Sequence, residues 1–154
     1  VSEFPDQNKI HESDEDRERQ RTILKMFAIH FNLTGKLTKA LDRQDARLFR
    51  DDKYIALAEA KYRNVGVDEY PDYTVDVEKV DSLVQRAKAD GVRGVLIVSW
   101  QGDVRYLNVT KAFSGWEPND HEHVFSVGTQ LRRDRLELPD HVYHIPYDRF
   151  TRLK

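Results

Sequence analysis

Ile23, Leu24, Phe27, Ala28 and Phe31 recur three and four residues apart, which lays an apolar stripe along a helix predicted from His11 to about Asn32. The first half of that segment, His11 to Arg21, is almost wholly charged. Glu12, Asp14, Glu15, Asp16 and Glu18 crowd its start, where the helix dipole favours negative charge. Thr34-Gly35 reads as its end.

The period then changes to two. Asp45 to Phe49 and Tyr54 to Tyr62 read as strands, joined by the polar turn Arg50-Asp51-Asp52-Lys53 into a tight hairpin. Alternation places Ile55, Leu57, Glu59 and Lys61 on one face of the second strand and Ala56, Ala58 and Ala60 on the other. The alanine face leaves room for a helix to pack closely, and the first helix is the expected occupant. Asn64 to Tyr73 reads as a loop. Asp76 can cap a second helix that carries the stripe Val77, Val80, Leu83, Val84 and Ala87 and stops at Asp90-Gly91. Gly94 to Trp100 is a continuous apolar run of strand length, expected to be buried on both faces. Gln101-Gly102-Asp103 turns the chain and Val104 to Val109 returns. The second helix has the length of a crossover, so the Glu59 strand and the 94–100 strand are expected to be parallel. Residues 110–141 show no clear period, Val142 to Ile145 reads as a short strand, and Phe150 and Leu153 are expected to dock the tail. Helix, hairpin, helix, hairpin and an irregular tail predict an α/β fold, a mixed central β-sheet flanked by helices. Residues 1–10 read as a flexible N-terminal arm and 11–154 as a single domain.

Composition narrows the function. The 154 residues suffice for a core without disulfides or structural metal. There is no cysteine, which removes thiolate metal sites and cysteine nucleophiles. No apolar run approaches the roughly 18 residues of a membrane span, so no membrane partner is expected. The acidic, polar start does not read as a signal peptide, and the chain opens at Val1 rather than Met. A net charge of −2 is low for a protein that coats nucleic acid, yet compatible with one that gathers carboxylates around a cation.

The chemistry centres on Glu59-Ala60-Lys61. An acid and a lysine two apart on a strand point the same way, and here toward a face that also carries apolar residues, where ions lose hydration and need a counter-charge. If the hairpin turns about Asp51–Asp52, Asp45 lies opposite Glu59 or nearly so, and facing Cβ atoms in a sheet are about 4.5–5.5 Å apart. Two carboxylates that close suit a cation between them, and magnesium, which wants oxygen ligands near 2.0–2.1 Å, fits such a pair.

Asp45, a short hairpin and Glu59-x-Lys61 resemble the PD-(D/E)XK nuclease superfamily. The run from Leu41 through Arg63, the helix opening Val77-Glu-Lys-Val, and the segments Gly94 to Trp100 and Val104 to Val109 are similar to small phage- and prophage-encoded members. The resemblance spans roughly residues 12–110. Arg132-Arg-Asp-Arg135 and His141 to Pro146 extend it weakly. It implies a restriction-endonuclease-like fold and hydrolysis of DNA phosphodiesters with Mg2+ or Mn2+, in a bacterial or phage-infected cytoplasm. It further implies metal ligation by Asp45, Glu59 and the Ala60 carbonyl, with Lys61 assisting the attacking water. A helical acid often completes such sites. Glu18 is the first choice, with Glu12 and Asp14 as alternatives. Gln85 or Lys79 on the second helix could face the site. Gln44 stands where the pattern has proline, and Asp42 rivals Asp45. Many members act as dimers or higher rings, so a homo-oligomer is one expectation.

Other readings stand beside this one. Lys36, Lys39 and Arg43, and Arg132, Arg133 and Arg135, could contact phosphates but read first as solvated surface. His121-Glu-His123, His141 and His144 read as loop and surface histidines. Trp100 reads as core, and Trp100 or Trp116 could stack on bases. The competing function is a nuclease fold without catalysis that binds DNA or a protein partner. An unrelated structural protein with a coincidental motif comes third.

Overall fold

A computed structural model describes residues 14–37, 46–70, 72–112, 126–132 and 135–153, with 126–132 and 135–140 described by their backbone only. The elements are α1 (Asp14–His30), β1 (Thr34–Leu37), β2 (Ala46–Arg50), β3 (Lys53–Arg63), β4 (Tyr73–Asp76), α2 (Val77–Asp90), β5 (Arg93–Trp100), β6 (Asp103–Asn108), a single turn α3 (Val109–Ala112), β7 (Ser126–Arg132), β8 (Arg135–Ile145), a 3₁₀ turn at Tyr147–Arg149, and β9 (Thr151–Arg152).

The central sheet has the order β1-β2-β3-β5-β6-β9 among the described residues. The pair β3–β5 is parallel and the other pairs are antiparallel, so the sheet is mixed. The parallel pair follows from the crossover through α2, which returns the chain to the end of the sheet at which β3 began. β5 runs under both layers, and Gly94 to Trp100 is buried throughout. A side chain at Gly94 would meet Ala87 Cβ at 3.2 Å and Val109 Cγ2 at 3.3 Å, so glycine is what lets α2 and α3 close over this strand.

Two cores lie on the two faces. On one, α1 buries Ile23, Leu24 and Phe27 against Ala46, Leu48, Ala56, Ala58, Ala60, Val95 and Ile97. The alanine face therefore receives the first helix, as its small side chains anticipated. On the other, α2 buries Val77, Val80, Leu83, Val84 and Ala87 against Leu57, Leu96 and Val98, joined by Tyr73, Trp100, Tyr143, Ile145 and Phe150.

The β2–β3 turn places Asp51 at φ 50° and Asp52 at φ 66°, left-handed values that a two-residue hairpin turn requires and that aspartate tolerates. The hairpin is not regular. Phe49 pairs with Tyr54 but Leu48 pairs with Ala56, so Ile55 is an extra residue in the ladder. This bulge corrects one expectation: Ile55 packs on the α1 side, not on the face of Leu57, Glu59 and Lys61.

The helix boundaries follow their signals. α1 stops at His30, and Asn32 takes a left-handed φ of 57° two residues before the expected Thr34-Gly35. α2 ends on Gly91 at φ 69°, whose N–H bonds back to the last turn. Asp76 stands at the head of α2 but makes no capping hydrogen bond with its side chain.

Four strands were not anticipated: β1, β4, β7 and β9. Thr34–Leu37 forms the exposed edge strand β1, where only a helix end was read. Tyr73–Asp76 forms β4, which together with β8 and β7 makes a second, three-stranded sheet where a loop and an irregular tail were expected. Val142 to Ile145 is a strand, but as the end of the longer β8. The tail docks as expected: Phe150 is buried, and Leu153 N–H donates to the Val104 carbonyl at 2.8 Å.

Candidate active site

β3 delivers the central pair. Ala58 and Ala60 turn toward α1, so alternation turns Glu59 and Lys61 toward α2. In the parallel register Glu59 stands beside Leu96 and Lys61 beside Val98, both fully buried. The Glu59 carboxylate thus rises from an apolar floor of Leu57, Leu96 and Val98, and the residue is 4% exposed. Lys61 Nζ lies 3.9 Å from Glu59 Oε1, with the lysine side chain 23% exposed. That separation is a charge contact and too long for a hydrogen bond. A carboxylate this buried is tolerable only with positive charge near it.

The first turn of α2 closes over this pair. Lys79 is half-buried and lies in the fields of Lys61, Glu59 and Asp76. Burial, and after it the like charge of Lys61, hold Lys79 below the usual lysine range. Gln85, the other polar candidate on this helix, is exposed on its outer side.

Arg63, two residues beyond Lys61, continues the row. Its guanidinium donates to the Thr74 carbonyl at 3.1 Å and lies 5.0 Å from the centre of the Tyr73 ring. Tyr73 is buried edge-on against Trp100 and Phe150. Burial pushes its hydroxyl above the usual tyrosine range, while Arg63 and Lys61 pull it back. Trp100 is core, as expected.

Glu18 is not part of this contact. Its side chain is 69% exposed and its carboxylate lies 3.4 Å from Arg21. It sits on α1, which packs on the opposite face of the sheet. Yet the neighbouring Arg19 lies 4.5 Å over the ring of Tyr62, the residue after Lys61, so this half of α1 reaches the same end of β3. Asp14 is exposed in the first turn of α1.

Asp45, Asp42 and Glu12 lie outside the described residues, as do Lys39, Arg43, Trp116, His121, His123 and Arg133. Among the described residues no group of three or more His, Asp or Glu side chains converges as a metal site. His141 is exposed, and His144 Nδ1 lies 3.4 Å from the Asp72 carboxylate. Lys36 is exposed on β1 with its ammonium 5.1 Å from the Phe49 ring centre. No described helix is long and apolar enough to cross a membrane.

The sequence model of the family described as "Phage putative PDDEXK endonuclease" matches residues 7–153. The chain belongs to this family. It is thereby a PD-(D/E)XK-type nuclease-family protein, and its mixed α/β fold agrees with the sequence expectation. Among solved structures, the chain is similar to a Holliday junction resolvase, Hjc, from Archaeoglobus fulgidus. The two share 14% identity over 63% of this chain and 79% of that one, with a TM-score of 0.49. No curated protein sequence matches the chain. The Glu59-x-Lys61 pair read from the sequence lies on β3, with both residues on the α2 side. Sequence reasoning missed the meeting of Arg63 and Tyr73 beside them, because Tyr73 was read as the end of a loop. The alternation of Tyr73, Thr74, Val75 and Asp76 was the available signal.

Proposed function

We propose that this protein is a metal-dependent deoxyribonuclease whose site is Glu59, Lys61 and Asp45. The observation that carries the reading is a nearly buried carboxylate and a lysine side by side above an apolar floor, within a chain of an endonuclease family. The β2–β3 ladder adds support. Ala46, the residue after Asp45 in the chain, pairs with Ala58, the residue before Glu59. Two carboxylate groups and the Ala60 carbonyl form an all-oxygen donor set, which suits Mg2+ or Mn2+ better than a softer ion. When bound, such an ion polarises a phosphate oxygen and acidifies water.

The chain's own groups do the rest. The Lys61 ammonium favours the charged form of the Glu59 carboxylate, against the apolar walls that keep water sparse. Lys61 Nζ donates to the attacking water and to the charge developing on the phosphate. Glu18, at the same end of β3, would assist from the rim if the Arg21 contact opens. DNA as substrate, a cytoplasmic setting and a homo-oligomeric form belong to the same reading.

The test uses linear, circular and branched DNA with Mg2+ and then with EDTA. Cleavage should require the metal and disappear in Lys61→Ala and in Glu59→Gln. Variants that cleave as fast as the parent would remove these roles. A parent that binds DNA but cleaves none of the three forms would favour a silent binding module.

A further inference from the structure

The β3–β5 ladder runs without a register shift from Ala56 to Arg63, so Arg63 shares the face of Glu59 and Lys61 and stands beside Trp100 of the α2-side core. The residue is exposed, yet its side chain is held. Its Nη2 donates to the Thr74 carbonyl at 3.1 Å and to the Tyr73 hydroxyl at 3.4 Å, and the guanidinium carbon lies 5.0 Å from the centre of the Tyr73 ring. That ring is itself fixed, edge-on against Trp100 and Phe150 at 5.5 and 5.7 Å. All of these contacts are with neutral groups. Among the described residues no carboxylate pairs with Arg63, and its Nη1 and Nε groups have no acceptor. Asp72, just before β4, lies 3.4 Å from His144 Nδ1 instead. Other arginines differ: Arg19, Arg21, Arg86, Arg105 and Arg152 each have a carboxylate oxygen 2.7 to 3.7 Å away. A fastener between β3 and β4 needs no charge, since a neutral donor would reach the Thr74 carbonyl as well. A guanidinium aimed by neutral groups keeps its charge and unused donors for an external anion, and has little side-chain freedom left to lose on binding one.

We propose that Arg63 is a substrate-binding residue that receives the backbone phosphate next to the one handled by Lys61. The inference rests on the nuclease reading for the identity of its ligand, but not on cleavage. Pinned to β4 and roughly 6.6 Å along the strand from Lys61, Arg63 meets the neighbouring phosphate rather than the same one. The planar fork suits a phosphate group, whose oxygens accept from two N–H groups at once. β3 thereby lays its cations along the substrate backbone, the lysine at the reacting phosphate and the arginine at its neighbour. Because phosphate contacts carry no base information, the effect should not depend on sequence.

The experiment measures binding of a fluorescent duplex oligonucleotide in EDTA, by anisotropy across a salt series, for the parent, Arg63→Gln, Arg63→Lys and Arg86→Gln. Arg86, beside Asp90 at the far end of α2, controls for the loss of one positive charge. Arg63→Gln should lower the magnitude of the log K against log salt slope by about 1, equally on unrelated sequences, while Arg86→Gln leaves it unchanged. Arg63→Lys should hold the slope, because the charge is kept, and bind more weakly at every salt concentration, because the fork is lost. Thermal melting checks folding. Arg63→Met, which keeps an apolar stem over Tyr73, replaces a glutamine variant that does not fold, and failure of both to fold makes the residue a structural tie and overturns the inference. A parental slope in the folded variant also overturns it, as does an equal loss in Arg86→Gln or a parent with no affinity for the duplex. A parent that binds but never cleaves with Mg2+, with Arg63→Gln still losing slope, would defeat the nuclease reading and leave this one standing.

Discussion

The two faces of β3 are made by alternate residues of one strand, yet they do different work. Toward α1 the strand offers Ala56, Ala58 and Ala60, and the contact is filled by Ile23, Leu24 and Phe27, with Phe27, Phe31 and Tyr106 meeting ring to ring. Among the described residues, no buried charged side chain faces α1. Toward α2 the strand begins the same way, with Leu57 on an apolar floor, and then places Glu59, Lys61 and Arg63 in succession. Apolar packing at one end of this second face fixes the backbone, and the charges at the other end inherit that rigidity. Positions on the first face should therefore govern stability alone, and positions on the second should govern chemistry at modest cost in stability.

The largest expected effect separates the faces by activity. Lys61→Ala and Glu59→Gln should lower Mg2+-dependent cleavage by a hundredfold or more (roughly the scale of losing one donor to transition-state charge), measured as initial rates on linear DNA. Their melting temperatures should stay within a few degrees of the parent. Phe27→Ala is the counterpart on the other face. It should cost about 3–5 kcal/mol in denaturant unfolding, while the rate per folded molecule at low temperature stays unchanged. If Phe27→Ala instead lost rate without losing stability, the division of labour would be wrong.

A third measurement sharpens the α2 face without any substitution. Mg2+ or Mn2+ at a hundredfold above its Kd should stabilise the parent by about 2.7 kcal/mol, read as a rise in melting temperature that vanishes in Glu59→Gln. Equal shifts in parent and variant would place the ion elsewhere. The smallest effect is expected off both faces, at the β5–β6 turn. There Arg105 donates to both Asp103 oxygens at 3.2 and 3.1 Å, and Arg152 lies 3.5 Å away. The hydrogen bond from Arg105, with the positive charges of both arginines, holds the Asp103 carboxyl below its ordinary value. A carboxylate depressed in the folded state contributes stability above its unfolded pKa and loses it as the pH falls through the lower folded value. Asp103→Asn should thus cost at most about 1 kcal/mol at neutral pH, with parent and variant converging in acid. Cleavage should not change.

Much of this was legible in the chain. The stripe Ile23 to Phe31 and the three alanines identified α1 and its seat, because a period of 3.6 facing a row of small residues has few other solutions. Glu59 and Lys61 were legible for the same reason: a period of two cannot place them on different faces. Ile55 was misread because a bulge adds one residue, and the extra residue reverses the face of everything before it. The second sheet was missed because β4 is only four residues long and its partner β8 lies some seventy positions away.

By itself the sequence determined the alternation on β3 from Ala56 to Lys61, the helix that covers its small face, and the acid–lysine pair on the other. These follow from local periodicity, which no distant contact can alter without unfolding the element. The tertiary structure alone decided that Lys79 lies in the field of Lys61, that Arg63 rests on Tyr73, and that Glu18 lies exposed beyond the opposite face. Those outcomes depend on the register of the crossover and the seating of each helix on the sheet. Both are fixed by the fit of side chains across elements far apart in the chain.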